Sequence, residues 1–84
     1  MARKDLPRGR WFECGDDSPI EVLVPSGTPD TLYLQSGDDF IPYWRDDGGE
    51  YYNVNDGSFT ATIENGRPVL TSGAGGWDTQ CRAK

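Results

Sequence analysis

The sequence predicts an all-β fold, a small barrel or sandwich, and three observations carry that expectation. No stretch of ten residues repeats its apolar side chains at the period of a helix. A content of 11 Gly and 6 Pro in 84 residues interrupts the chain too often for long helices. Short runs of β-branched and aromatic residues recur between turn residues, at a spacing suited to a compact antiparallel sheet.

In chain order, residues 1–9 show no pattern and read as a flexible basic tail ahead of one domain over 10–84. Strands are expected at 10–14, 19–24, 31–35, 39–44, 49–55, 58–64, 67–72 and 76–82. Ile20, Val22 and Val24 alternate with Glu21 and Leu23, and Leu32 and Leu34 flank Tyr33, so each of these strands offers one face to a core. Pro25 to Asp30 is a loop by composition, and Ser36-Gly37-Asp38-Asp39 makes the next reversal.

The segment 49–72 is specified most closely. Asp56-Gly57 and Asn65-Gly66 are both dipeptides that suit two-residue type I′ turns, whose central residues need positive φ. A turn at Asp56-Gly57 sets Val54 opposite Phe59, Tyr52 opposite Ala61 and Glu50 opposite Ile63. A turn at Asn65-Gly66 sets Ile63 opposite Pro68, Ala61 opposite Leu70 and Glu64 opposite Arg67. Both place Phe59, Ala61 and Ile63 on one inward face. Tyr52 then points inward, and Tyr51 points outward beside the Gly-rich loop 45–50, where exposed aromatics suit a protein-binding surface.

Apolar residues make up 35% of the chain, so the core is small and a covalent staple is expected. Cys14 and Cys81 lie near the two ends with no His to share a metal, which points to a disulfide; two free thiols are the alternative. A disulfide places the protein in an oxidising compartment, periplasmic or secreted, with any signal segment removed, whereas synthesis and residence in the cytosol is the competing expectation. No apolar run is long enough to span a membrane.

The formal net charge is −6, and its distribution is uneven. Residues 11–84 carry 4 basic against 13 acidic side chains. Such a body repels phosphate backbones, which argues against direct nucleic-acid binding, and attracts a basic protein partner. A monomer is expected. Without His, and with Lys only at positions 4 and 84, the chain lacks the pairs that activate a nucleophile, so no enzyme activity is expected. The acidic pairs Asp16-Asp17, Asp38-Asp39 and Asp46-Asp47 sit in turns and read as solvated turn residues rather than as a catalytic pair. Asn53 to Gly57 only half matches a calcium loop and is used by a hairpin, so neither a metal nor a cofactor is expected.

Phe12-Glu13-Cys14 followed by the strand from Ile20 to Val24, the loop Gly48-Gly49-Glu50-Tyr51-Tyr52, the strand from Phe59 to the turn Asn65-Gly66, and the late Cys81 occur in an order that resembles the membrane-bound and periplasmic inhibitors of c-type lysozyme. The resemblance covers about residues 11–82. It implies a flattened eight-stranded antiparallel barrel closed by the Cys14–Cys81 disulfide, a lipoprotein-like or periplasmic location, and a loop over 45–50 that inserts into the active-site cleft of a lysozyme. The expected partner-binding site is formed by Asp47, Gly48, Gly49, Glu50, Tyr51, Asn65 and Arg67, with Tyr51 included for its outward face beside the loop and Arg67 for its proximity across the hairpin. Two residues depart from the family pattern: Gly48 stands where the family has a loop Ser, and Asn65 where it has a turn Lys, with Arg67 as the substitute cation. Two other function classes compete: an acidic mimic of nucleic acid that inhibits a basic cytosolic enzyme, and a non-catalytic structural protein of an envelope or virion.

Overall fold

Alternating apolar and polar side chains build eight antiparallel strands: β1 (Gly9–Cys14), β2 (Ile20–Pro25), β3 (Thr31–Ser36), β4 (Asp39–Arg45), β5 (Tyr51–Asn53), β6 (Asp56–Glu64), β7 (Arg67–Ser72) and β8 (Asp78–Ala83). The computed structural model describes residues 1–73, 76 and 78–84; residue 77 of the expected last strand lies outside them. Each strand pairs with the next and β8 pairs back onto β1, so the sheet is a closed barrel. Closure leaves no open sheet edge, which matters for a chain with few apolar residues to spend on covering one. Cys14 and Cys81 are register partners across the β1–β8 seam and form the disulfide.

The barrel interior is filled by Phe12, Cys14, Val22, Leu32, Leu34, Tyr43, Tyr51, Ala61, Leu70 and Cys81, with Ile20, Val24, Ile41 and Phe59 packed against them. The turn at Asn65-Gly66 forms as its sequence demands: φ is 56° and 79° at its two residues, and Ile63, Ala61 and Glu64 face Pro68, Leu70 and Arg67. Ile63 is nevertheless exposed, because it sits at the mouth of the barrel beside that turn.

The other hairpin departs from expectation. Its turn residues are Val54 and Asn55, because Asn53 pairs with Asp56, and Tyr51 rather than Tyr52 lies opposite Ala61. Two side chains decide this. Asn53 accepts the Asn55 N–H at 2.8 Å and donates to the Pro42 carbonyl at 2.8 Å, which starts an Asx turn ahead of the Asp-Gly dipeptide. Asp56 accepts the Ser58 N–H at 3.0 Å and the Tyr43 hydroxyl at 3.0 Å, so it serves inside β6 and not as a turn residue. Neither Val54 nor Asn55 has positive φ, so the turn lacks the twist that matches its strands and the register breaks between Tyr51 and Asn53. β5 is correspondingly short.

Residues 1–8 pack against the outside of the barrel instead of trailing as a tail. Ala2 bridges Asp39, the Met1 carbonyl accepts the Phe40 N–H at 2.7 Å, and residues 3–5 form one turn of 3-10 helix. The Arg3 guanidinium lies 5.0 Å from the Trp11 ring centre and 5.2 Å from that of Phe40, and the two rings meet edge to face. Leu23 neighbours Trp11 in the register and is fully buried although it points away from the core. A thin outer apolar layer of Trp11, Leu23 and Phe40 thus lies under the amino-terminal segment. Alternation alone assigned Leu23 to the polar face, since it cannot register a segment that folds back over the sheet.

Candidate functional site

In an up-and-down barrel, alternate hairpin connections share an end. The loops 26–30 and 46–50 and the turn at Asn65-Gly66 therefore lie together, with the start of β1 and the close of β8. Asp47, Gly48, Gly49, Glu50, Asn65 and Arg67 all fall at this end, and all but the half-buried Gly49 are exposed. Tyr51 does not join them. It is 4% exposed, belongs to the core, and its hydroxyl donates to the Pro29 carbonyl at 2.7 Å. The register shift that turns Tyr51 inward turns Tyr52 outward, opposite Trp44 on the neighbouring strand. These two rings, 39% and 52% exposed, flank the base of the loop.

The loop 46–50 is internally braced. One carboxylate oxygen of Asp46 accepts the N–H of Gly48 at 2.9 Å and that of Glu50 at 3.0 Å. The Asp46 N–H donates to the Glu50 carbonyl at 2.9 Å, and the Gly49 N–H to the Asp46 carbonyl at 3.2 Å. Gly49 adopts φ of 87°, a left-handed conformation that favours glycine. At the loop's root, Arg45 forms an ion pair with Asp30, and the Arg45 N–H donates to the Asp30 carbonyl at 2.9 Å, which ties this loop to the neighbouring one. Asp46 and Glu50 also border a shallow groove with Tyr52, Asn53, Asp56 and Phe59, where the β5–β6 pairing lapses. The loop thus presents a rigid backbone with Asp47 and Glu50 on its rim, and neither forms an ion pair among the described residues.

Ionisable groups elsewhere serve the fold. Hydrogen bonds from Arg3 and then from Lys84 hold the Glu21 carboxyl below its ordinary range. Hydrogen bonds from the Ser58 side chain and backbone, with a further one from Tyr43, do the same for Asp56. Burial, reinforced by the Asp56 carboxylate, pushes the Tyr43 hydroxyl upward. Among the described residues no three carboxylates or thiols are grouped so as to hold a metal ion. No helix there is long and apolar enough to cross a membrane.

Sequence reasoning placed the loop and missed its organiser. Asp46 is an exposed turn residue as expected and in addition braces the loop, and its spacing to Gly48 is the readable signal of an Asx turn. The register of the β5–β6 hairpin exchanges the expected faces of Tyr51 and Tyr52. Comparison with family models, curated proteins and solved structures finds no match for this chain. The functional reading therefore rests on the residues themselves and on where the barrel places them.

Proposed function

We propose that this protein is a non-catalytic, protein-binding inhibitor whose target is a c-type lysozyme, acting in the periplasm or outside the cell. The observation that carries the reading is the loop 46–50. Its backbone is braced by Asp46, its flanks are the exposed pair Trp44 and Tyr52, and it shares a barrel end with Asn65 and Arg67. An inhibitor that enters a cleft gains affinity when its inserted loop is ordered before binding, because the ordering entropy is not lost on association.

Each part has a distinct task. Gly49 carries no side chain and lets the loop backbone approach the cleft wall, while Gly48 at the crest meets the cleft through its backbone with space left for a small side chain. Asp47 and Glu50 face the basic rim of the enzyme and draw the acidic barrel toward it over long range. Arg67 extends toward the carboxylates of the cleft, in place of the cation that Asn65 does not provide. Trp44 and Tyr52 take over the aromatic contact expected of Tyr51 and bury apolar area around the inserted loop.

The test is a titration of a c-type lysozyme with this protein, followed by lysis of bacterial cell walls at low and at physiological salt. The expected result is stoichiometric inhibition that weakens as salt rises. Absence of inhibition at a large molar excess in both buffers overturns the lysozyme reading.

A further inference from the structure

The barrel end that carries the acidic loop also carries a groove of the opposite sign. It lies between β1, the turn at Asn65-Gly66 and the close of β8, with a volume of about 450 Å³. Its walls include Arg10, Arg67 and Lys84 with Trp11, Phe12 and Asn65, and among the described residues no Asp or Glu side chain lines it. In a chain with 14 acidic and 8 basic residues this is a marked local reversal. Small-molecule sites typically enclose about 300–1,000 Å³, so the groove has the size of a ligand site rather than of a gap between side chains.

The two arginines differ in how they are held. Arg10 follows the inward alternation of Phe12 and Cys14, which brings its guanidinium 5.2 Å from the centre of the Phe12 ring at the barrel mouth. There it donates to the Gly66 carbonyl at 2.5 Å, so its fork is positioned before any ligand arrives. Arg67 forms no ion pair among the described residues; its register partner Glu64 instead accepts a hydrogen bond from Thr62. Lys84 is tied to Glu21, which also holds Arg3, and contributes less.

We propose that this groove is an anion-binding site that takes a carboxylate or phosphate group carried on a small apolar body. The anion sits between the Arg10 and Arg67 guanidiniums, and the apolar part lies along the groove wall at Ala83 and the edge of Phe12. The surrounding negative charge of the barrel excludes long polyanions, so the site suits a small anion or a single acidic side chain. This inference shares Arg67 with the inhibitor reading but stands on the groove itself, and binding of small anions to the isolated protein tests it whether or not a lysozyme is inhibited.

The test uses the intact protein labelled with ¹⁵N, titrated with phenyl phosphate, inorganic phosphate, acetyl-Phe-Asp-amide and, as an uncharged control, benzyl alcohol. The expected result is saturable shifts of the amides at positions 10, 66, 67 and 83 with phenyl phosphate, at lower concentration than with inorganic phosphate. Arg67→Gln, an exposed position, is expected to weaken binding about tenfold, the effect of one lost charge-assisted hydrogen bond, without changing the rest of the spectrum. If acetyl-Phe-Asp-amide shifts the same amides more tightly than phenyl phosphate, the site receives an acidic protein side chain; if less tightly, a free small anion. Scattered or non-saturating shifts up to concentrations on the order of 10 mM, or equal binding by Arg67→Gln, overturn the proposal.

Discussion

Tyr51 lies directly across from Ala61, and this one pairing decides which face of β5 meets the outside. It commits Tyr51 to the core and leaves Tyr52 beside Trp44 on the surface. The two tyrosines should therefore respond oppositely. Tyr51→Phe loses the hydrogen bond to the Pro29 carbonyl and is expected to cost about 1 kcal/mol of stability with little effect on partner binding. Tyr52→Ala is expected to leave the melting temperature nearly unchanged and to weaken inhibition about thirtyfold, as for an aromatic anchor worth about 2 kcal/mol. Thermal melts and inhibition titrations of both variants check this; the reverse pattern contradicts the register.

The same hairpin shows how far the sequence is legible. Alternation and turn residues located all eight strands, and Asn65-Gly66 set its register correctly because both residues adopt the positive φ that a type I′ turn requires. Asp56-Gly57 carries the same kind of signal and yet makes no turn. Asn53 and Asp56 each have partners distant in sequence, Pro42 and Tyr43, and those tertiary hydrogen bonds outweigh a local preference. The site was legible to the same extent. Its loop and turn follow from local composition, whereas the exposed aromatics depend on a register that tertiary contacts decide. The fold-back of residues 1–8 left no periodic trace, since it depends on Arg3 finding Trp11, Phe40 and Glu21 across the barrel wall.

The Cys14–Cys81 bond closes a loop of 67 residues between the first and last strands. In the chain-entropy account, a loop of that length adds about 4 kcal/mol, a large share of the stability available to so small a domain. The double variant Cys14→Ser, Cys81→Ser is expected to lower the melting temperature by about 15–30 °C or to leave the chain unfolded at 37 °C. Calorimetry on the oxidised, reduced and double-serine proteins measures it; a loss of only a few degrees means that the barrel closes without the bond.

Stability is also expected to depend on acid through Glu21. Its carboxyl is held below the ordinary value of 4.5 by Arg3 and Lys84. The contribution is fully present above that value, where both folded and unfolded chains carry the carboxylate. As pH falls below it, the unfolded chain takes up a proton that the folded chain does not, and the contribution is lost by the time pH passes the lowered folded-state value. Urea midpoints of the parent and Glu21→Gln are thus expected to converge as pH falls below 4.5, with the parent more stable near neutrality. Parallel midpoints across this range exclude the pair of cations as a stabilising contact.

Asp46 orders the loop that the proposed inhibitor reading inserts into its target. Replacing it with Ala removes the acceptor for the Gly48 and Glu50 N–H groups, both exposed, so water satisfies them and the barrel is expected to stay within about 1 kcal/mol of the parent. Inhibition is expected to fall about tenfold, because the loop must then be ordered on binding. Asp46→Asn keeps a side-chain oxygen and should recover most of the loss. If Asn is no better than Ala, the charge of Asp46 matters rather than its bracing.

Gly48 and Gly49 are adjacent, yet they should tolerate a side chain very differently. Gly49 has φ of 87°, where any other L-residue is strained whatever the space around it. Gly49→Ser is therefore expected to cost about 1–2 kcal/mol of loop order and to weaken inhibition. Gly48 has no such φ, and a Cβ there would meet only the Asp46 carboxylate oxygen, at 3.4 Å. A serine hydroxyl at this position, exposed at the crest of a braced loop, adds a donor and acceptor for the cleft without disturbing the fold. On the proposed inhibitor reading, Gly48→Ser is expected to leave the melting temperature unchanged and to strengthen inhibition about tenfold, the effect of one well-placed hydrogen bond. Inhibition constants for the two single variants, measured side by side against the same lysozyme, give the comparison. Improvement at position 48 with loss at 49 places the loop in the cleft, whereas equal and small effects at both mean that the partner meets another part of this barrel end.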